Sequence, residues 1–182
     1  MKKVKVLFLI LFFAVGLTGC GQGDQEKESK LDLKNAEEII SYFKEKGLPI
    51  SDTKTYTEEN DTNELLGRPG GYIGKIDFID TNVEKKLIEE NSKEYGMSEE
   101  DTKNEMREGF GVENGGSLEV FDNEEDAKKR YEYVSTITKE LGGMFAEYGY
   151  QQKNLYLRLS KSLTPTQAEE YEKILNELVE NN

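Results

Sequence analysis

The chain of 182 residues contains no histidine and a single cysteine, Cys20, so any chemistry rests on carboxylates, tyrosines, arginines and lysines. That inventory excludes most histidine-based acid–base catalysis, four-cysteine or histidine-rich zinc sites, and any internal disulfide. With 37 Asp and Glu, a carboxylate pair for glycoside hydrolysis is available, although so many acids also produce pairs by chance. The clusters Asp61 with Glu64, Asp122 with Glu124–Asp126, and Glu99–Asp101 lack the alternating oxygen ligands and central glycine of a calcium loop. They read as helix caps and solvated loops. There is no G-x-S-x-G elbow, and Gly109-Phe110-Gly111-Val112 lacks the strand–turn–helix context of a phosphate loop. No metal and no cofactor is expected.

Two places combine arginine with tyrosine. Arg68 sits between Gly67 and Pro69, near Tyr72, on a backbone that these neighbours constrain. A guanidinium fork held this way suits a carboxylate or phosphate. The competing reading is a structural turn whose arginine pairs with a local acid. Tyr156 and Arg158 alternate with Leu155, Leu157 and Leu159, so the pair is expected to point outward while the leucines point inward. With Tyr148 and Tyr150 on the preceding strand, they would make an aromatic patch suited to a protein partner. Against this stands a sheet face covered by helices. Arg68, Tyr72, Tyr156 and Arg158 are the candidate binding residues.

The N-terminus carries the most specific signal. Lys2, Lys3 and Lys5 precede an unbroken apolar run of ten residues, Val6 to Val15. A bilayer span needs about 20, so the run has signal-peptide length. It ends in Leu17-Thr18-Gly19-Cys20, which resembles the lipobox of bacterial lipoproteins: an aliphatic residue, two small residues and the cysteine that is acylated. The resemblance implies removal of residues 1–19, lipidation of Cys20 and retention at the membrane. One acyl chain anchors marginally and two hold stably. Losing the three lysines takes the formal charge from -13 to -16. So acidic a surface is repelled by anionic headgroups, leaving attachment to the lipid. It also argues against nucleic acid, whose binding runs on lysine and arginine. The polar stretch from Gly21 to Lys34 buries too little to offset its chain entropy and reads as a disordered tether, 20–34 with the lipidated cysteine.

Beyond it the elements follow from caps and periodicity. Asn35 with Glu38 opens a helix over 35–46, with Ala36, Ile39, Ile40 and Phe43 as its apolar stripe and Gly47 as its stop. Ile50 to Thr57 alternates weakly, as a short strand does. The cluster Gly67–Gly71 is a turn. Tyr72 to Ile79 reads as a half-buried strand, with Tyr72, Ile76 and Phe78 on one face and Lys75 and Asp77 on the other. Residues 81–110 are helical in composition and poor in apolar groups. They read as a loosely attached, solvent-facing excursion, with Ser98 and Asp101 capping its second helix. Gly115-Gly116 is read as a turn before a strand Ser117–Phe121. Asp122 or Asn123 caps a helix with stripe Ala127, Tyr131, Val134, Thr138 and Leu141, stopped by Gly142-Gly143. Met144–Tyr150 and Leu155–Ser160 form a hairpin. Thr164, Pro165 and Gln167 start a terminal helix with Ala168, Tyr171, Ile174, Leu175 and Leu178 facing the core.

This order predicts an α+β fold over 35–182: a small antiparallel sheet with helices packed on one face, ferredoxin-like in its C-terminal half. The stretches Leu65–Tyr72, Gly115–Phe121 and Leu159–Pro165 resemble a family of small, uncharacterised surface lipoproteins of Gram-positive bacteria. The resemblance implies location on the outer face of the cytoplasmic membrane and a single domain, with no activity attached. The expectation is a non-enzymatic domain held by a covalent lipid anchor and binding an envelope protein or other envelope component. The alternatives are a small-ligand binder or transporter accessory subunit, and then a carboxylate-dependent cell-wall hydrolase.

Overall fold

A computed structural model describes residues 30–141, 143 and 146–182. The expected signal peptide, Cys20, the expected tether up to residue 29, and Gly142, Met144 and Phe145 lie outside the described residues. The elements are α1 (Ala36–Glu45), β1 (Ile50–Thr55), β2 (Tyr72–Asp80), α2 (Thr81–Tyr95), α3 (Glu99–Glu108), β3 (Gly115–Phe121), α4 (Glu124–Leu141), β4 (Glu147–Gln152), β5 (Leu155–Ser160) and α5 (Pro165–Glu180). All pairings are antiparallel, in the order β1-β2-β3-β5-β4. The fold is α+β, as the element order implies. Among the described residues no helix is long and apolar enough to cross a membrane.

The helix boundaries follow from local chemistry. Asn35 accepts from the backbone N–H of Glu37 and Glu38, and Ser98 accepts from Asp101 N. Thr164 and Gln167 form a reciprocal capping box with Pro165 in the first turn. Each satisfies donors that a helix start leaves orphaned. The excursion over 81–110 is the pair α2 and α3, inserted between two neighbouring strands and buried chiefly at Val83, Thr102 and Met106.

Strand alternation divides the sheet into two unlike faces. One presents Ile76 and Phe78 of β2, Leu118 and Val120 of β3, and Leu155, Leu157 and Leu159 of β5. Onto it pack Ile39, Ile40 and Phe43 of α1 and Ala168, Tyr171, Leu175 and Leu178 of α5. Tyr171 stacks on Phe78 at 5.7 Å between centroids and meets Phe43 edge-on at 6.4 Å. The other face presents Lys75, Asp77, Ser117, Glu119, Tyr156 and Arg158, and α4 lies over it.

Four expectations change. Helices cover both faces of the sheet rather than one, because β2, β3 and β5 are buried on both sides. Residues 115–160 do have the split β-α-β connectivity, with β5 between β3 and β4, but α4 and α5 lie on opposite faces. Gly115 and Gly116 are strand residues rather than a turn, paired with Ile79, Phe78 and Leu159. A Cβ at Gly115 would collide with Asp80 N and Phe78 O, and one at Gly116 with the Phe78 ring and Arg158 O. Glycine here permits close strand packing, not chain reversal. Finally, the α4 stripe is buried at Ala127 and Val134, while Leu141 is 58% exposed.

Candidate functional site

The polar face is built by cross-strand register. Asp77 of β2 opposes Ser117 of β3, which opposes Arg158 of β5. Next to this row, Lys75 opposes Glu119, which opposes Tyr156. Side chains two apart on a strand share a face, so these two rows lie side by side beneath α4.

One end of the rows is an ion-pair chain. Glu119, with no exposed surface, accepts from Arg130 Nε and Nη2 of α4 at 2.9 and 3.1 Å and from Arg158 Nη1 at 3.3 Å. Arg158 also donates Nε and Nη2 to Glu147 of β4, both at 2.8 Å. Such two-pronged pairs are the strong form of a charge-assisted hydrogen bond. Burial opposes the charge on Arg158, but the hydrogen bond to Glu147 and the charges of Glu119 and Glu147 outweigh it and hold its pKa above the ordinary value. Tyr156 donates its hydroxyl to Glu147 at 3.3 Å and stands edge-on to Tyr131. Burial, then the charge of Glu147, pushes its phenol pKa up.

The other end centres on Lys75. Its ammonium lies 3.9 Å from Asp61 Oδ1, 3.8 Å from Asp77 Oδ2 and 3.9 Å from the centre of the Tyr56 ring. Asp61 is fully engaged. It accepts from the Tyr72 hydroxyl at 2.5 Å and from Leu65 N and Leu66 N at 2.8 and 3.1 Å. Burial raises its pKa, but these hydrogen bonds prevail and leave it below the ordinary carboxyl value. Asp77 is only half engaged. Oδ2 accepts from the Tyr56 hydroxyl at 2.8 Å, while Oδ1 has no hydrogen-bond partner. Ser117 Oγ, across the strand, has none either. Buried polar atoms are rarely left so, since each costs about 1–3 kcal/mol.

Asp77 and Ser117 line a cavity of about 700 Å³. The space is within the range of small-molecule sites. Lys75 and Arg158 complete its polar floor, and Tyr56, Phe110, Tyr133 and Val134 form aromatic and apolar walls. Among the described residues no group of three or more Cys, Asp or Glu is placed to hold a metal ion.

The four candidate binding residues have different fates. Arg68 is exposed on its turn, 3.7 Å from Glu64, and Tyr72 faces away from it into the Asp61 cluster with no exposed surface. Tyr72 also leaves the face of Ile76 and Phe78, because the β2 register shifts between Tyr72 and Gly74. It packs against Phe121, Ala127 and Tyr156. Tyr156 and Arg158 do share a face, but α4 covers it, and Tyr156 is 1% exposed. The expected patch with Tyr148 and Tyr150 does not form: those residues oppose Leu159 and Leu157 and belong to the apolar face. Of the four, Arg158 lines the cavity.

Lys75, Asp77, Ser117, Glu119, Arg130 and Glu147 were absent from the sequence-derived candidates. The signal that could have found Lys75, Asp77 and Glu119 is charge at every second position of strands otherwise rich in leucine, isoleucine, valine and phenylalanine. No family model, no curated protein and no solved structure matches the chain.

Proposed function

We propose that this protein is a lipid-anchored extracytoplasmic binding protein that takes a small ligand in the cavity beneath α4. Cys20 carries the anchor, residues 20–34 give reach from the outer face of the cytoplasmic membrane, and the domain supplies the contacts. The anchor reading rests on the lipobox and on the resemblance to Gram-positive surface lipoproteins. The ligand reading rests on one observation: a cavity of about 700 Å³ with the charged side chains of Lys75 and Arg158 in its floor and aromatic and apolar walls from Tyr56, Phe110, Tyr133 and Val134. Protein docking loses support because Tyr156 is buried and the tyrosines of β4 face the other way.

The cavity is tested by filling it. Ile137 of α4 is a half-buried lining residue. Full-length protein and its Ile137→Trp variant are purified from native membranes, denatured, and the released small molecules compared by mass spectrometry. A compound enriched with the wild type and lost from the folded variant supports the reading. Identical small-molecule content sinks it. Separately, Cys20→Ala should release the protein from the membrane fraction or leave it unprocessed. Unchanged mobility and membrane association would refute the anchor.

A further inference from the structure

We infer that the ligand of this cavity is an uncharged molecule that presents a carbonyl oxygen to Lys75, a conclusion that rests on the cavity reading above. Lys75 is 6% exposed, and its ammonium lies 3.9 Å from Asp61 Oδ1, 3.8 Å from Asp77 Oδ2 and 3.9 Å from the centre of the Tyr56 ring. These contacts compensate its charge. They do not take its protons: both carboxylate oxygens stand beyond hydrogen-bond reach, and among the described residues the three N–H groups have no acceptor. Lys75 lines the cavity, and its nitrogen is not sealed from it as Asp77 Oδ1 and Ser117 Oγ are. A buried donor left unspent is costly, and an acceptor arriving in the cavity removes that cost.

The neighbouring groups are spent in a way that singles Lys75 out. Arg158 places Nε and Nη2 on Glu147 and Nη1 on Glu119. Arg130 gives Nε and Nη2 to Glu119, and among the described residues its Nη1 has no acceptor. Glu119 stands opposite Lys75 in the sheet, so Lys75 and Arg130 flank one carboxylate, and both line the cavity. The carboxylates are engaged: Glu119 and Glu147 by the arginines, Asp61 by Tyr72 and two backbone N–H groups, and Asp77 Oδ2 by Tyr56. The floor therefore offers an incoming molecule donors rather than acceptors.

Charge selects among the acceptors. Beneath α4, Lys75, Arg130 and Arg158 already face four carboxylates, Asp61, Asp77, Glu119 and Glu147, all less than one-fifth exposed. A carboxylate or phosphate ligand would add a further negative charge to that buried set, at a cost. An organic ammonium brings donors where donors are in surplus, and sets a like charge beside Lys75. A carbonyl oxygen only accepts, carries no net charge, and takes from Lys75 a charge-assisted hydrogen bond roughly twice as strong as a neutral one. The aromatic and apolar walls, with Phe110, Tyr133 and Val134, suit the hydrocarbon that bears it.

Three probes that share one ring separate these cases. Full-length protein in detergent micelles is titrated with benzamide, benzoate and benzylamine, with empty micelles as the reference. Binding is followed by ligand-observed NMR and, in protein labelled with 15N-lysine, by the ammonium signal of Lys75. Benzamide should bind at least about tenfold more tightly than benzylamine, the effect of one charge-assisted hydrogen bond, and more tightly than benzoate. It should also shift the Lys75 signal. Lys75→Met should abolish the benzamide preference. Because that variant leaves Asp61 and Asp77 buried without their cation, its folding is checked by circular dichroism, and the wild-type ranking and ammonium shift decide if it does not fold. Equal or tighter binding of benzoate or benzylamine would overturn the carbonyl inference while leaving the cavity reading standing. So would a benzamide complex that leaves the Lys75 signal unmoved, or a preference that persists in folded Lys75→Met. If no probe binds, the carbonyl inference falls. The Ile137→Trp comparison then determines separately whether the cavity reading falls with it.

Discussion

The two faces of one sheet solve burial in opposite ways. The face under α1 and α5 is hydrocarbon, with Leu118, Leu155, Leu157 and Leu159 fully buried and Phe78 stacked on Tyr171. The face under α4 is also covered but is made of Lys75, Asp77, Glu119, Tyr156 and Arg158, with a cavity among them. Hydrocarbon packing is tolerant, because each contact is weak and nondirectional. A buried ionic face is demanding, because every charge needs a partner at the right place. Proteins do not need such a face for stability, since well-packed apolar residues of similar volume often serve as well or better. Its presence here is a reason to place function on the α4 side.

The largest effect that would break this contrast is at Glu119. Glu119→Ala leaves Arg130 and Arg158 facing each other in a buried site, and is expected to lower stability by about 3–5 kcal/mol. Urea unfolding measures it. A loss below 1 kcal/mol would mean that the ionic face is hydrated and that the comparison is wrong. On the apolar face, Leu157→Ala should cost about 2–5 kcal/mol through lost burial and the cavity left behind. Ligand binding under α4 should survive it in the folded fraction. Removing the α5 cap with Thr164→Ala should cost about 0.5–2 kcal/mol and leave the polar face untouched. Arg68→Ala should change stability by less than about 0.5 kcal/mol, since its partner Glu64 is mostly exposed.

Alkaline pH sharpens the comparison. Burial, assisted by Asp77, Asp61, Glu147 and Asp80 respectively, raises the phenol pKa of Tyr56, Tyr72, Tyr156 and Tyr171 above 10.0. The folded state therefore holds these protons more tightly than the unfolded chain. Their contribution is fully present below pH 10, and it is lost as pH rises through the folded values. Urea midpoints should be flat from pH 8 to about 9.5 and fall steadily above pH 10. Three of the four tyrosines sit on the α4 side and Tyr171 on the other. Tyr171→Phe should therefore leave most of the slope in place. A slope abolished by that one change would place the alkaline sensitivity on the apolar face.

How much of this was legible depended on whether its cause is local. The caps at Asn35, Ser98 and Thr164, the apolar stripes of α1 and α5, and the inward leucines of β5 follow from neighbours within one or two turns of chain. They could be read directly from residue order. The candidate site could not. Lys75 and Asp77 look like the wet side of a half-buried strand until Glu119 and Ser117, some forty positions later, are set opposite them. Tyr156 and Arg158 look outward until α4 is laid over them. The side chosen by Tyr72 turns on a register shift before Gly74.

The sequence by itself determined most of the secondary elements, the antiparallel α+β class and the helical excursion between two strands, because caps and periodicity act over short distances. It also supplies the N-terminal pattern from which a lipid anchor is proposed. Only the tertiary structure decided which charges share a face, that α4 and α5 take opposite sides, and that one carboxylate oxygen of Asp77 and the hydroxyl of Ser117 are buried without a hydrogen-bond partner. Strand register and helix docking join residues far apart in the chain, and the free energy of a buried charge depends on what those distant residues bring to it.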